Sequence, residues 1–352
     1  MRKRLAVLIS VLELLLVALS VSAPAESGTE AGAAVLSEDA LNIAAADQAE
    51  LSADSLSLLP MDDFSAFGPM PDENCFIEGK HIYSSENTFD DVSYIDQSIA
   101  VYAWHEWREN CCYSVARVRI ADPCQLRATI VGDRIGRSNY VWVTARENNA
   151  VVATGGEFLA HAANKHVYAV RMGSTLRSEG KKNHDTLVTD QDGNFHILRG
   201  YSHEQREALE NEGVQIVNLF NFGPALIIDG EMQHQDGEKI SYENIAPNGL
   251  QPRTAIGQLG PLEYLMVVTN GRNAACPSPD GSIKGSKGCT IITLERFMAS
   301  CNCVQAYALD GGNSAAMYFR GDVFSARIRR GVSDIVYFAT LVDSGSDEPG
   351  EE

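Results

Sequence analysis

The sequence runs to 352 residues and carries 47 acidic against 28 basic side chains, a net charge of −19. So acidic a chain is a poor partner for nucleic acid or an anionic membrane surface, whose phosphates would repel it. The length allows one large domain or two ordinary ones.

The N-terminus reads as a targeting segment. Arg2, Lys3 and Arg4 precede a largely apolar run from Leu5 to Val21, broken by Glu13, and Val21-Ser22-Ala23 supplies the small-x-small pattern of a cleavage site. Residues 1–23 are therefore expected to be a signal peptide or, uncleaved, an N-terminal membrane anchor, since the run nears the ~20 residues that span a bilayer. The protein is expected to be exported, either secreted or tethered to the outer face of the membrane by that anchor alone. Residues 24–72 mix Ala, Ser, Glu, Asp and Leu without sustained periodicity, which predicts an acidic disordered linker. Residues 344–352 form an acidic tail. One folded unit is left, 74–343, of about 270 residues, near the upper limit for a single core.

Strand signals dominate that unit. Tyr113 to Ile120 alternates, with Val115, Arg117 and Arg119 on one face and Ala116, Val118 and Ile120 on the other. Leu262–Thr269, Val304–Leu309, Ala315–Phe319 and Asp334–Val342 are further runs of strand formers bounded by Gly, Asn or Asp. Asp192-Gly193, Asp229-Gly230 and Gly321-Asp322 lie between such runs and predict hairpin turns. Two helices are expected. Ser202 and Gln205 form a capping box before a polar helix that ends at Gly213. The second spans Thr293 to Ser300, with Leu294, Phe297, Met298 and Cys301 on one face. Many strands and few helices predict an α+β fold built mostly of antiparallel sheet.

The eight cysteines are Cys75, Cys111, Cys112, Cys124, Cys276, Cys289, Cys301 and Cys303. In an exported chain an even count favours structural disulfides, although eight permit on the order of a hundred pairings. Cys301-Asn302-Cys303 has a single intervening residue and no second pair at zinc-ligand spacing, so no metal site is expected. The eight His residues show no metalloprotease spacing.

Chemistry-bearing residues concentrate in the last third. The Val304–Leu309 strand delivers Asp310 to a strand end, Gly311-Gly312 lets the backbone turn and approach a ligand, and Asn313 and Ser314 add polar side chains. Taken alone this is an ordinary turn composition. Arg253 stands before an apolar stretch, Arg272 follows Thr269-Asn270-Gly271, and Arg330 precedes Gly331-Val332-Ser333-Asp334. Guanidinium groups at strand ends of an acidic protein suggest a local anion site, against the plainer reading of surface salt bridges.

Taken in order, these segments resemble the phosphodiester glycosidase family over roughly Tyr83 to Leu341. The resemblance rests on Asn149 to Phe158, on Phe222-Gly223-Pro224 through Gly230, on Pro252-Arg253-Thr254-Ala255-Ile256-Gly257, on the helix at Thr293–Ser300, and on Leu309-Asp310-Gly311-Gly312. The chain departs from the family pattern at five positions. Gly155 stands where Asn is usual, Glu157 for Asp, Asn270 for Asp, Asn313 for Gly and Gly331 for Pro.

The resemblance implies hydrolysis of the sugar–phosphate bond of a glycosyl phosphodiester or phosphate-containing polysaccharide. Such a reaction builds positive charge on the sugar ring and expels a phosphate monoester. It needs a carboxylate near the anomeric carbon and cations on the phosphate. Asp310 is the expected catalytic carboxylate, with Glu157 as its second. Arg253, Arg272 and Arg330 are expected to hold phosphate, and Asn270, Gly311, Gly312, Asn313, Ser314 and Asp334 to contribute to substrate binding. No cofactor is expected to be required; a divalent cation has no support in the spacing.

Other chemistries fit less well. Gly312-Asn313-Ser314-Ala315-Ala316 is a partial echo of a serine-hydrolase motif without a following helix. Asp190-Gln191-Asp192-Gly193-Asn194 lacks the glutamate that a calcium loop needs. The main alternative is a non-catalytic carbohydrate-binding or envelope-assembly protein of the same fold. Trp104 and Trp107 could then stack on sugar rings, although core packing is the commoner use of such aromatics.

Overall fold

A computed structural model describes residues 93–341, except 133, 160–167, 179–183, 244, 279–281 and 327–329. The expected leader, linker and acidic tail, together with Cys75, lie outside the described residues.

The chain first forms β1 (Ser93–Ile95), β2 (Ile99–Arg108), β3 (Cys111–Ile120), β4 (Leu126–Ile130), α1 (Val141–Glu147) and β5 (Val152–Gly155). Next come β6 (Ala169–Arg171), β7 (Ser174–Arg177), β8 (Thr186–Asp190), β9 (Phe195–Leu198), α2 (His203–Asn211) and β10 (Ile216–Phe220). Then follow β11 (Ala225–Ile228), β12 (Glu231–Met232), β13 (Arg253–Gly260), β14 (Glu263–Thr269), β15 (Ala274–Pro277) and β16 (Ile283–Ser286). The last elements are α3 (Ile291–Ser300), β17 (Gln305–Leu309), β18 (Met317–Phe319), β19 (Asp322–Val323) and β20 (Asp334–Phe338).

These strands pair antiparallel throughout. They make an eight-stranded sheet in the order β1-β2-β3-β14-β13-β17-β11-β12 and a five-stranded sheet β19-β18-β5-β20-β4. A second five-stranded sheet runs β7-β6-β10-β8-β9, and β15-β16 forms a separate hairpin. The mostly antiparallel, helix-poor fold agrees in outline with the α+β expectation.

Alternation along the strands builds the layers. In β3, Tyr113 and Val115 pack toward α3 with Ala255 and Ala308, whereas Ala116, Val118 and Ile120 face a second core with Met317 and Val336. The eight-stranded sheet is thus covered on one face by α3 and on the other by the β18-β5-β20 sheet. The outer face of that second sheet, through Ala153, Tyr318 and Ile335, is covered by Val141 and Ala145 of α1.

Local signals hold where the chemistry is local. Asp192-Gly193 joins β8 to β9 and Asp229-Gly230 joins β11 to β12, while Gly321 closes the turn between β18 and β19. In the first of these the Asp190 carboxylate accepts N–H bonds from Asp192 (2.9 Å) and Asn194 (2.8 Å), so it closes a turn and does not open a calcium loop. Ser202 and Gln205 form the expected reciprocal cap on α2.

Several boundaries differ from expectation. The helix α3 starts at Ile291, because the Thr290 side chain accepts the Thr293 N–H (3.1 Å) and caps it two residues early. Residues 312–314 form a 3₁₀ turn, so the strand expected from Ala315 is confined to Met317–Phe319. The strand at Asp334 ends at Phe338, four residues short of the expected limit. The helix α1 is an addition; its N-cap, Tyr140, makes no side-chain capping bond. Among the described residues no helix is long and apolar enough to cross a membrane. The seven described cysteines form no disulfide in this structure.

Candidate active site

Sheet register brings the sequence-singled segments to one edge of the molecule. The end of β17 pairs with the start of β13, Leu309 opposite Thr254, and Arg253 in turn opposes Thr269 at the end of β14. In the second sheet Ile335, near the start of β20, opposes Gly155 at the end of β5. Asp310 joins the two sheets, its N–H donating to the Gly156 carbonyl (2.9 Å).

The loop after Asp310 is held close against β13. The Gly312 N–H donates to the Pro252 carbonyl (2.8 Å). A Cβ on Gly311 would stand 2.8 Å from that same oxygen, so any side chain there would push the turn off the strand.

Two clefts open at this edge. One, of about 270 Å³, is lined by Asp310, Gly311, Gly312, Asn313, Arg253, Arg272, Arg330, Gln251 and neighbouring apolar residues. The other, of about 460 Å³, is lined by Asn270, Gly271, Ala274 and Ala326 among others. Arg272, Gly312 and Asn313 belong to both. The Arg272 guanidinium donates to the Asn313 side-chain oxygen and to Gln251 Oε1 (2.8 Å from Nη2), which makes a bridge of neutral amides under an exposed cation.

Asp310 is 7% exposed and lies beside Arg330, whose Nη2 stands 3.3 Å from its Oδ2. The same Nη2 donates to Ser314 Oγ (2.7 Å), and Nε donates to it as well (3.0 Å). The Arg330 guanidinium also rests over the Phe158 ring, 4.2 Å from its centroid. Burial pushes the Asp310 carboxyl up to about 6, with Asp334 acting in the same direction, while Ser314 and Arg330 pull it back. The result is a carboxylate that is charged at neutral pH yet poorly solvated.

The remaining expected residues are placed differently. Arg253 reaches the cleft lining, but its guanidinium donates to the carbonyls of Cys289 (3.1 Å), Ile245 (2.7 Å), Ala246 (2.8 Å) and Gly249 (2.9 Å). Its donors build the loop that walls the cleft and do not point at a phosphate. Asn270 is buried. Its Oδ1 accepts from the Ala326 N–H (2.8 Å), and its Nδ2 donates to Cys276 Sγ (2.9 Å).

Glu157 and Asp334 lie behind the cleft wall. Both are enclosed, at 1% and 0% exposure, and neither lines either cleft. Asp334 accepts two bonds from Arg171 (3.2 and 2.6 Å) and one from the Glu157 N–H (2.9 Å). Glu157 Oε1 accepts from the Asn221 N–H (2.6 Å), while its Oε2 is unpartnered. Burial pushes the Glu157 carboxyl up to about 8 against the opposing pull of Arg171. One arginine thus serves two buried carboxyls; burial also raises the Asp334 carboxyl, against the pull of Arg171, and Glu157 favours the neutral acid. A Cβ on Gly156 would stand 2.3 Å from Asp334 Oδ2, so this backbone approach needs glycine.

Arg171 and Gln251 are therefore part of the site's framework and were not singled out from the sequence, and Phe158, which closes the Asn149 segment, joins them without having been expected at the site. Arg171 sits on β6, in a third sheet, and no local pattern ties it to β20. Trp104 packs beside the α3-side core, and the Trp107 Nε1–H donates to the Pro277 carbonyl (2.5 Å). Neither lines the Asp310 clefts.

Comparison with known proteins places the fold and the family. The chain is similar to the catalytic domain of zebrafish N-acetylglucosamine-1-phosphodiester alpha-N-acetylglucosaminidase, solved in a form auto-inhibited by its pro-peptide. The two are 15% identical, with a TM-score of 0.51 over 73% of this chain and 86% of that one. It is also similar to a hypothetical protein from Synechocystis at 15% identity and a TM-score of 0.44, over 68% and 62% of the two chains. No curated protein matches the chain by sequence. The family model for phosphodiester glycosidase matches residues 148–339, more than half of the sequence and the whole of the Asp310 edge, and on that match the chain belongs to the phosphodiester glycosidase family.

Proposed function

We propose that this chain is an exported glycosidase that hydrolyses the sugar–phosphate bond of glycosyl phosphodiesters, acting on cell-surface or extracellular polysaccharide. The observation that carries the reading is Asp310: a poorly solvated carboxylate in a cleft whose remaining charged groups are arginines.

In this reading Asp310 faces the anomeric carbon and stabilises the positive charge that grows on the ring as the bond to phosphate breaks, as a nucleophile, a base or an electrostatic partner. Low solvation strengthens that interaction at the moment charge develops. The departing phosphate monoester is stable as an anion, so strong proton donation is not required. Arg272 is best placed to receive it, because its present partners are neutral amides. Arg330 shares itself between Asp310 and Ser314, which orients the carboxylate and adds a second cation. Arg253 shapes the wall, and Glu157 with Asp334 holds the layer behind it.

The test is to incubate the purified chain with sugar-1-phosphodiesters and to measure binding and free reducing sugar together. Release supports the hydrolase. Binding without release, at any pH between 5 and 8, would favour the carbohydrate-binding alternative.

A further inference from the structure

Four cysteines near the cleft are arranged as two pairs on opposite sides of one strand. Cys111 and Cys112 open β3, and consecutive strand residues point to opposite faces of a sheet. Cys111 joins the α3-side core with Tyr113 and Val115, where Cys289 is also packed; the Cys111 thiol donates to the Asn270 carbonyl (3.8 Å) and the Cys289 thiol to the hydroxyl of the neighbouring Thr269 (3.6 Å). Cys112 turns the other way, toward Cys276 of β15. The Asn270 amide lies against both of those sulfurs, with Nδ2 2.9 Å from Cys276 Sγ and 3.5 Å from Cys112 Sγ. All four cysteines are at most 1% exposed. Among the described residues no three His, Cys, Asp or Glu side chains converge as metal ligands, so the arrangement is pairwise.

We propose that Cys111 bonds to Cys289 and Cys112 to Cys276, as two structural disulfides formed by exchange with a disulfide oxidant during folding. In each exchange one cysteine thiolate attacks the oxidant's S–S bond and expels one thiolate from it. The partner cysteine thiolate then attacks the mixed disulfide and expels the second. The chain loses two protons and two electrons per bond, and the oxidant is reduced to two thiols.

These bonds hold the two walls of the Asp310 edge. Cys289 pairs by backbone with Gln251, and its carbonyl takes the Arg253 Nε bond. Cys276 follows the Asn270-Gly271-Arg272 turn, so its tie to β3 fixes the loop that carries Arg272. Asn270 also gains a physical reason. An amide donates to sulfur and a carboxylate cannot, so the residue standing where the family pattern has Asp suits a pocket lined by the Cys112–Cys276 pair.

The experiment is a peptide map of the full chain refolded in a mixture of oxidised and reduced glutathione, with fragmentation between Cys111 and Cys112. The expected map joins Cys111 to Cys289 and Cys112 to Cys276. Cys289→Ser should then leave Cys111 open to alkylation after denaturation while Cys112–Cys276 persists, and Cys276→Ser should do the converse. Reduction of the wild-type chain should lower the melting temperature by about 10 °C. Crossed pairing, a bond between Cys111 and Cys112, or four free thiols after oxidative refolding would overturn the assignment. The wild-type map decides this even if a serine variant fails to fold.

Discussion

Asp310 is costly to the fold and, in the proposed hydrolysis, useful to the reaction, and both consequences follow from its burial. Its carboxyl is raised to about 6 in the folded chain, above the usual carboxylate value. The stabilisation linked to its proton is present at low pH and is lost as pH rises through about 6. Asp310→Asn removes that loss, so it should raise stability at neutral pH by on the order of 1–3 kcal/mol and show little gain at pH 4, as read from denaturant melts at both values. Catalysis runs the other way. If the ionised form acts, kcat/KM should fall as pH drops below about 6. Arg330→Met removes a cation that pulls the carboxyl down, so it should move this acid limb to higher pH. An unmoved limb would show that another group sets it. Glu157 separates the two roles that a second carboxylate could have. Glu157→Gln keeps the acceptor for the Asn221 N–H and removes only the ionisable proton. The account predicts activity within several-fold of wild type, whereas loss on the order of a hundredfold or more would return Glu157 to the chemistry.

The most telling element is the loop at 245–249 with its arginine core. Arg253 comes from the first position of β13 and reaches carbonyls of that loop and of Cys289. Lysine has the charge but not the planar fork, so Arg253→Lys would leave several of these carbonyls without donors. Its expected cost is on the order of 3 kcal/mol, measurable by denaturant unfolding, with a rise in KM as the wall loosens. By contrast α2 buries no residue, and Ser202→Ala should cost about 1 kcal/mol or less, seen as faster amide exchange confined to residues 203–212. The elements were unequally legible. The cap at Ser202, the Asp-Gly hairpins and the alternation of β3 are set by neighbours in sequence, and they could be read. The helix α1 could not. Its Val141, Val143 and Thr144 are strand formers, and it is helical because Val141, Thr144 and Ala145 are buried, with Val141 and Ala145 packed on the β5-β18-β20 face. The strand expected at Ala315 was shortened because Gly312 and Ser314 are drawn into a 3₁₀ turn beside Pro252.

At the scale of the whole molecule, the site is an edge where two antiparallel sheets meet. Residues far apart in sequence, Gly156, Arg253, Arg272, Asp310 and Arg330, are neighbours because strand register puts the relevant ends together. The motifs therefore named segments that meet at one edge. They did not reveal which side chains face the cleft. Arg253 and Asp334 are of the same residue types as Arg272 and Asp310, and their partners in the fold, the nearby 245–249 carbonyls with that of Cys289 for one and the distant Arg171 for the other, turn them away. In the proposed hydrolysis Asp310 makes this edge a reaction centre and not only a binding surface. The direct measurement compares wild type and Asp310→Asn for sugar release from a glycosyl phosphodiester, with binding of the same compound measured in parallel. The account predicts that release is abolished while binding and fold are kept. Turnover by the variant at the wild-type rate would contradict it.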